Sequence, residues 1–417
     1  MNFARNLYAF TKMTMLTETL SQYLSRRLIL EGGLAGHMPT PVDFKDFTGD
    51  DLIELVVSLF SGKIEHMKEK LDGTNLNAYR NLDGETVFIR NQTDLNSDKG
   101  GMSLEELSAR YFGKPDVAEN FIKSAKVIEE VFSRVPVKFF NPEDGVKVVV
   151  NCECISAGKT NVMIYDSDRV AFHGTSTYRI ENGRWRLEST EEGIPNQIAK
   201  AAEGIDRTKP RPDLIVKDVQ EGAKTAGKFA MEITRLFSKE GLRTSAPIDL
   251  WKKTRFANLC PEWLDPEDVY QRWFYGDKSV NLNSLKKKYS EHMSELVELD
   301  KKEHKRLVSE VMEPIDRLFM QIGNELIASL EGFTNTLDNG IPEQLKKDLD
   351  ELVRDIRSTG TEDDIQKLER QMQRLESVGN RLNSAEGIVF TYKGKVMKLT
   401  GSFSALNQIM GMRRFSR

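Results

Sequence analysis

The spacing of hydrophobic and polar residues divides the chain into three regions, and the first of these is predicted to be helical. Within residues 1–63, two stretches carry apolar residues at helical intervals, 17–30 and 50–61. The glycine pair Gly32-Gly33 ends the first stretch. The second stretch has one apolar face, so we expect it to pack against a larger core.

The second region, residues 64–190, alternates apolar and polar positions and predicts antiparallel β-structure with a helical interruption. Predicted strands at 75–79 and 86–90 flank Asp83-Gly84, a pair typical of hairpin turns. These strands should therefore be neighbours in one sheet.

Helical spacing interrupts this region at 104–110 and 116–132, and a long β-branched strand follows at 146–155. Glu153 is a charged residue in the second half of that strand. Four shorter strands are predicted at 162–165, 170–173, 176–180 and 184–187. Asn182-Gly183 is expected to join the last two in a tight hairpin.

The third region, residues 191–383, is predicted to be helical after a proline-rich start. Residues 282–311 have continuous helical spacing, and Pro314 is expected to interrupt or cap that helix. Apolar spacings of 3, 4 or 7 residues at 345–356 and 365–382 predict a helical hairpin or short coiled coil. Residues 359–361 supply its turn.

Residues 385–400 return to a β pattern, so the predicted fold is α+β, an antiparallel β-sheet domain with a large inserted α-helical domain. The predicted domains are an N-terminal helical segment, 1–63, a sheet domain, 64–190 with 384–417, and the insertion, 191–383. We expect the insertion to bury its apolar stripes within itself, so that a short linker in place of 283–380 should spare the sheet domain.

The composition argues against some classes of protein but does not identify the function. The 417 residues include 39% hydrophobic and 30% charged residues, enough for a core and a hydrated surface. The net charge of −4 argues against a uniformly basic nucleic-acid binder but allows local basic patches. Three cysteines fit a reducing compartment, and Cys152 and Cys154 are interpreted as strand residues rather than half a metal site. No apolar run is long enough for a membrane span.

The tetrapeptide Lys70-Leu71-Asp72-Gly73 is the most informative candidate for chemistry. A lysine that attacks a phosphate must first lose its proton, because a free lysine has a pKa of about 10.4. Nearby positive charge or desolvation lowers that value, and Gly73 lets the backbone approach a ligand closely. The simple alternative is that the four residues form a turn between two strands.

Together with Glu386-Gly387-Ile388-Val389 and Lys398, this tetrapeptide resembles the motifs of the covalent nucleotidyltransferases, which are ATP-dependent RNA and DNA ligases and mRNA capping enzymes. The resemblance is closest to phage-type RNA ligases and covers roughly residues 64–180 and 384–402. It implies the adenylation-domain fold of these ligases, described as ATP-grasp-like. It also implies a covalent lysyl-AMP at Lys70, with ATP and Mg²⁺ (or Mn²⁺) as cofactors.

The same resemblance implies roles for residues before the insertion. Glu69 would lie near the adenine, Asp72 and Gly73 belong to the nucleotide-binding motif, and Arg90 would contact the sugar and phosphates. Arg90 could instead be a solvated residue at a strand end. Glu153 would bind ribose or metal, or it could face outward from an amphipathic strand.

Phe172 would stack on the purine according to the resemblance, although core packing is the commoner use of such a residue. After the insertion, Glu386 would bind metal and Lys398 the α-phosphate. The family usually has two lysines separated by one residue in this last motif, whereas here Val396 takes the first position. Lys395, one place earlier, is the remaining candidate.

The turn between the last two strands sets a geometric condition. A three-residue loop would pair Ile388 with Lys398 and place Glu386 and Lys398 on one face. A two-residue loop would pair Val389 with Lys398 and place them on opposite faces. The predicted site therefore requires the three-residue loop or a bulge.

We therefore expect an ATP-dependent polynucleotide ligase that prefers RNA, including nicked duplexes, and works in the cytoplasm, the host cytoplasm if the gene belongs to a phage. Only 19 residues follow Lys398, so we expect no barrel domain like that of DNA ligases and capping enzymes. The insertion would then hold the strands or a protein partner. Two alternatives remain, a nucleotidyltransferase with another acceptor and a non-catalytic helical interaction protein with a decayed ligase-like domain.

Overall fold

A computed structural model describes residues 38–111, 113, 115–157, 165, 167–208, 213–277, 279–333, 343–360, 362–377, 385–403, 405–406 and 408–409. Helices and antiparallel sheets both occur in these ranges, which confirms the α+β class. The predicted helix at 17–30 and most of the predicted strand at 162–165 lie outside the described residues. Within the described ranges, no helix combines the length and apolar composition that crossing a membrane requires.

Strands dominate the first half of the described chain and helices the second half. The strands are β1 (Lys68–Lys70), β2 (Thr74–Asn75), β3 (Asn77–Arg80), β4 (Thr86–Ile89), β5 (Val146–Ile155), β6 (Arg169–Glu181), β7 (Arg184–Glu192), β8 (Ile215–Val216), β9 (Leu330–Glu331), β10 (Gly387–Tyr392) and β11 (Lys395–Thr400). The helices are α1 (Gly49–Phe60), α2 (Gln92–Leu95), α3 (Leu104–Arg110), α4 (Pro115–Ser133), α5 (Val137–Phe140), α6 (Asn196–Ala202), α7 (Val219–Lys239), α8 (Ile248–Leu259), α9 (Pro266–Tyr275), α10 (Leu282–Lys288), α11 (Met293–Glu298), α12 (His304–Ser329), α13 (Glu343–Thr359) and α14 (Glu362–Ser377).

The chain divides into two compact units. The described residues of the first unit are 38 and those within 71–208, and the described residues of the second unit lie within 39–70 and 213–409. This division differs from the predicted one, because β10 and β11 belong with the helices of the second unit rather than with the strands of the first. The boundary falls between Lys70 and Leu71, inside the motif that the sequence singled out.

The first unit is built on an antiparallel sheet with the strand order β4-β3-β5-β6-β7, and β2 also pairs with β5. The β-branched residues of β5 favour an extended strand, and Val149 and Val150 are buried in the core. Helix α4 adds Phe121 and Ile128 to the same core cluster. Cys152 and Cys154 are buried strand residues with free thiols, as the sequence predicts.

Turn chemistry explains the longest hairpin of this sheet. Asn182 and Gly183 have φ angles of 51° and 73°, the left-handed values that a two-residue hairpin turn requires. They join β6 to β7, which confirms the predicted Asn-Gly turn. The two separate strands predicted at 170–173 and 176–180 are instead one continuous strand, β6. The pairing of β6 with β5 changes register between Asn151 and Cys152 of β5.

The second unit contains a three-stranded antiparallel sheet, β1-β10-β11. Its buried face carries Ile388 and Leu399, which share a core cluster with Ile315 and Ile322 of α12 and with residues of α1 and α7. The expectation of a self-contained insertion is therefore wrong, because α12 supplies the core that covers this sheet. A linker in place of 283–380 would expose that apolar face to water.

Pro314 lies inside α12 and does not end it, contrary to the prediction. A proline has no N–H group, so the carbonyl of Glu310 loses its helical donor. The Arg255 guanidinium from α8 donates to this carbonyl at 3.4 Å and to the carbonyl of Val311 at 3.1 Å. A tertiary contact thus satisfies the interrupted turn, and the helix continues to Ser329.

The continuous helix predicted at 282–311 is broken. It consists of α10, a 3₁₀ turn at Ser290–His292, α11 and a π-turn at Leu299–Glu303, after which α12 begins. The predicted helical pair after α12 does form as α13 and α14. Leu352, Ile356, Leu368 and Leu375 of this pair share a cluster with Met320 of α12, so its apolar stripe is only partly buried within the pair.

Two glycines of α7 give a matched test of the packing between α7 and α1. A Cβ atom at Gly222 would lie 2.2 Å from the carbonyl oxygen of Phe60, whereas a Cβ at Gly227 would meet no atom within 4 Å. We expect Gly222→Ala to lower the free energy of unfolding by about 1–3 kcal/mol. Gly227→Ala should raise it by up to about 1 kcal/mol. Chemical denaturation measures both, and equal effects would contradict the packing described.

Candidate functional site

Lys70 ends β1, and the register of the three-stranded sheet places its side chain on the same face as Lys68 and Lys398. Lys68 lies opposite Val389 and Lys70 opposite Gly387 across β1 and β10. Val389 in turn lies opposite Lys398 across β10 and β11. Residues in one row of a sheet project to the same side, as do residues two apart on one strand. Three lysines therefore share the face opposite the core.

Glu386 supplies negative charge to this face. Its Oε1 lies 2.5 Å from the Nζ of Lys70, and the two side chains are only 11% and 21% exposed. Charges held away from bulk water interact more strongly than they do on an open surface. We call Lys68, Lys70, Glu386 and Lys398 the lysine cluster.

The geometric condition set by the sequence proves wrong. The turn between β10 and β11 has two residues, Lys393 and Gly394, so Val389 lies opposite Lys398. Glu386 nevertheless reaches Lys70 because it precedes β10, which begins at Gly387. The alternation of side chains between the two faces of a strand therefore does not fix the direction of the Glu386 side chain.

Lys398 is held in a crowded, half-buried position. Burial lowers the pKa of its ammonium group, and the nearby charge of Lys70 lowers it further, while Glu386 and Asp43 act in the opposite direction. Its backbone N–H donates to the carbonyl of Pro39 at 2.9 Å, which fixes the strand at this point. Two ammonium groups and one carboxylate thus interact at the centre of the lysine cluster, an arrangement suited to binding an anion.

Glu69 does not lie in the cluster. It is 1% exposed and projects to the opposite face of β1 from its neighbours Lys68 and Lys70. There it shares a row with Ile388 and Leu399, which belong to the core. The proposed contact of Glu69 with adenine is therefore not supported, because strand alternation turns its side chain into the core.

Lys395 also lies elsewhere. It is three residues before Lys398, so it projects to the other face of β11. Its Nζ lies 2.6 Å from a carboxylate oxygen of Asp46 and 4.7 Å from the ring centre of Phe44. The structure therefore does not support Lys395 as the second phosphate contact.

Sequence patterns did not single out Lys68, although its place two residues before Lys70 was a usable signal.

In the first unit, Gly73 and Glu153 are in direct contact. The Gly73 N–H donates to Oε1 of Glu153 at 3.0 Å. A Cβ atom at Gly73 would lie 2.4 Å from Cγ of Glu153 and 2.9 Å from the carbonyl oxygen of Cys154. Glycine is thus required here because the backbone passes close to the glutamate. The neighbouring Asp72 N–H donates to the Tyr165 hydroxyl at 2.7 Å.

His173 is a residue that the sequence patterns did not single out. Its Nε2 lies 2.9 Å from Oε2 of Glu153. Cys152 faces Phe172 and Asn151 faces Gly174, so His173 is the extra residue of a bulge in β6. A polar residue directly after the apolar run 170–172, opposite the strand of Glu153, was the available signal.

Phe172 is buried in the core and does not form a stacking surface. It is 3% exposed, and its ring centre lies 6.4 Å from that of Phe132. It faces Cys152 across the sheet, whereas Glu153 projects to the other side. The stacking role proposed from the resemblance is therefore not supported, and the alternative of core packing describes this residue.

Arg90 is anchored next to the strand pair that carries Glu153. Its guanidinium donates to the carbonyl of Asn75, which lies opposite Glu153 across β2 and β5. The same group lies 4.8 Å from the ring centre of Phe121. Arg90 is thus fixed by backbone and aromatic contacts rather than freely solvated. We call Gly73, Arg90, Glu153 and His173 the Glu153 cluster.

The close approach of Gly73 to Glu153 leads to a testable prediction. We expect Gly73→Ala to lower the free energy of unfolding by about 1–3 kcal/mol, because Glu153 or the strand behind it must shift. Gly227→Ala, which adds the same methyl group in open space, is the control. A Gly73→Ala variant as stable as the wild type in chemical denaturation would contradict the contact.

The predicted metal ligands, Glu153 and Glu386, lie in different compact units. In the described part of the chain, no group of three or more His, Cys, Asp or Glu side chains is placed to hold a metal ion. Magnesium is usually held by one or two carboxylates, water and substrate phosphates rather than by an all-protein cage. Each of the two clusters offers one carboxylate of this kind.

Comparisons with known proteins leave the family open. No family model matches the chain, and neither a curated protein nor a solved structure matches it.

Proposed function

We propose that this chain is an ATP-dependent polynucleotide ligase that acts on RNA through a covalent lysyl-AMP at Lys70. One observation supports the proposal above all others. The lysine that precedes Leu71-Asp72-Gly73 has a carboxylate 2.5 Å from its nitrogen and shares a sheet face with Lys398. A nucleophilic lysine needs such a proton acceptor and a neighbouring cation.

In the first step, Nζ of Lys70 attacks the α-phosphorus of ATP. A nitrogen–phosphorus bond forms, the bond to the bridging oxygen breaks, and pyrophosphate leaves with the electron pair. The Lys70 ammonium must first lose a proton, and Glu386 Oε1 is within hydrogen-bond distance to accept it. Glu386 thus accepts the proton lost before attack, and the second proton, which the nitrogen loses as the phosphoramidate forms, passes to the departing pyrophosphate.

Lys398 is suited to the charge that develops on the α-phosphate. It is a half-buried cation with a lowered pKa, and Lys70 and Glu386 both act on its charge. A cation fixed where charge develops stabilises a transition state more than a mobile one. Glu386 would also hold a magnesium ion, and such an ion, when bound, neutralises phosphate charge.

The resemblance assigns Gly73, Arg90 and Glu153 of the first unit to nucleotide binding. Glu153 offers acceptor oxygens, and Arg90 offers a fixed cation with several donors. Both are set by backbone contacts, since Gly73 donates to Glu153 and Arg90 donates to the carbonyl of Asn75. Fixed groups of this kind select a ligand by geometry rather than by adapting to it.

The choice of RNA and of ligation rests on the resemblance of the motifs to phage-type RNA ligases, and so does the assignment of a ligase-type adenylation fold. In the second step, a 5′-phosphate oxygen attacks the lysyl-AMP phosphorus, and the nitrogen–phosphorus bond breaks. A 3′-hydroxyl then attacks the activated 5′-phosphate and AMP leaves. The Lys70 nitrogen takes up two protons to return to the ammonium form, the 3′-hydroxyl releases its proton, and the cycle closes.

Transfer of label from the isolated intermediate tests the proposal. The protein is labelled with α-³²P-ATP and Mg²⁺, freed of ATP, and mixed with 5′-phosphorylated single-stranded or nicked RNA or with matching DNA. We expect the label to move from protein to the RNA 5′ end, and joined product to appear on a denaturing gel.

Two outcomes contradict parts of the proposal. A protein that takes up label but passes it to no polynucleotide is a nucleotidyltransferase with another acceptor. A protein that takes up no label from any nucleoside triphosphate is not a covalent nucleotidyltransferase.

A further inference from the structure

Lys68 is a member of the lysine cluster that takes no part in the chemical steps proposed above. It lies in the same row of the sheet as Lys398, with Val389 between them, and two residues before Lys70 on β1. Two strand spacings, about 10 Å, separate its Cα atom from that of Lys398. The long flexible stems of lysine side chains allow their ammonium groups to meet on one polyphosphate chain.

The cluster needs a further cation to bind a triphosphate. Lys70 and Lys398 are offset by Glu386 and by the nearby carboxylate of Asp43, which leaves little positive charge against a multiply charged ligand. Val396, two residues before Lys398 on the same face of β11, stands where the resemblance expects a lysine. Lys395 projects to the other face and is engaged by Asp46. Lys68 is therefore the candidate for the further cation on this face.

One partner of Lys68 is a carboxylate that a phosphate can replace. Its Nζ lies 2.9 Å from Oδ1 of Asp213, and the two side chains are 33% and 46% exposed. His66 lies 3.4 Å from the other oxygen of the same carboxylate. Ion pairs between partly exposed groups contribute little net stability. A polyphosphate with several charged oxygens should therefore displace Asp213.

From these contacts, and resting on the proposed function, we infer that Lys68 is a third phosphate-binding cation that holds the pyrophosphate end of ATP. Lys398 and Lys68 then bind different parts of the triphosphate. Lys398 serves the α-phosphate, and Lys68 serves the β- and γ-phosphates that leave.

A set of matched variants tests this role. Lys68→Met removes the charge, Lys68→Arg keeps it, and Asp213→Asn breaks the ion pair but keeps the lysine. Lys63→Met changes an exposed lysine of the same segment and is the control. Two quantities are measured for each variant, the KM for ATP in lysine adenylation and the binding of inorganic tripolyphosphate by calorimetry.

We expect Lys68→Met to raise the KM for ATP and the Kd for tripolyphosphate about tenfold to a hundredfold, with a smaller effect on kcat. Lys68→Arg should recover most of the loss. Asp213→Asn should leave both constants unchanged or lower them, because the lysine no longer has to leave its partner.

Two results would overturn the inference, namely a Lys68→Met variant that binds tripolyphosphate like the wild type, or an Asp213→Asn variant that reproduces its defect. The second result would mean that Lys68 acts only by tying β1 to residue 213. The proposed function fails separately, if the wild type forms no AMP adduct. In that case loss of tripolyphosphate binding in Lys68→Met would still establish the phosphate contact.

Discussion

Replacement of Lys70 by alanine or arginine abolishes AMP labelling if Lys70 is the nucleophile. Wild-type protein incubated with α-³²P-ATP and Mg²⁺ should carry a covalent label that survives a denaturing gel. Alanine removes the nitrogen, whereas arginine keeps a positive charge beside Glu386 but cannot lose its proton in a protein. Loss of label in both variants therefore separates nucleophilic attack from simple charge pairing.

Lys63→Arg, on an exposed residue of the same segment, is the control for this experiment and should label normally. Denaturation curves of the Lys70 variants show whether the three-stranded sheet remains folded. Full labelling of folded Lys70→Ala protein would place the nucleophile elsewhere in the chain.

Glu386→Gln should reduce the rate of lysine adenylation by roughly 10²-fold or more, the scale for loss of one key electrostatic contact. Glutamine keeps the size of the side chain and one acceptor oxygen, so the backbone around β10 should be unchanged. It can neither accept the Lys70 proton nor attract a divalent cation. Single-turnover labelling at saturating ATP isolates this effect from nucleotide binding.

The matched control is Glu65→Gln, because Glu65 is exposed and lies on the approach to β1. A rate close to that of the wild type in Glu386→Gln would remove Glu386 from the chemistry. The contact of 2.5 Å with Lys70 would then be a structural ion pair only.

Local chemistry explains what could be predicted from the sequence. Asn182-Gly183 specifies a tight hairpin because both residues tolerate positive φ, and β5 follows from its β-branched residues. Lys70 and Glu386 were selected from motifs, and the structure brings their side chains into contact. These features depend on neighbouring residues or on short motifs.

Tertiary contacts explain what could not be predicted. Lys393 has a φ of 50° at the start of the last hairpin turn, a conformation that lysine rarely adopts. Its ammonium group binds Asp51 at 2.5 Å and Glu54 at 2.8 Å, residues more than 300 positions earlier. The two-residue turn and its register therefore depend on contacts that no local pattern contains.

The same reasoning applies to Pro314 and to the site. Local rules predict that Pro314 interrupts or caps a helix, but Arg255 of α8 donates to the carbonyl of Glu310, which the proline leaves without its helical donor. Phe172 and His173 are adjacent on β6, and adjacent strand residues normally project to opposite faces, so one of them had to face the core. The bulge in β6 determines which of the two side chains contacts Glu153. Sequence patterns could name the candidate positions but could not determine their faces.

Peptide mapping of the labelled wild-type protein tests the central claim most directly. The protein is incubated with ATP and Mg²⁺, digested, and examined by mass spectrometry for a peptide that carries one AMP. We predict the adduct on Lys70, immediately before Leu71-Asp72-Gly73, with Lys68 and Lys398 unmodified. An adduct on any other residue, or no adduct under conditions in which the protein is folded and binds ATP, would contradict this assignment.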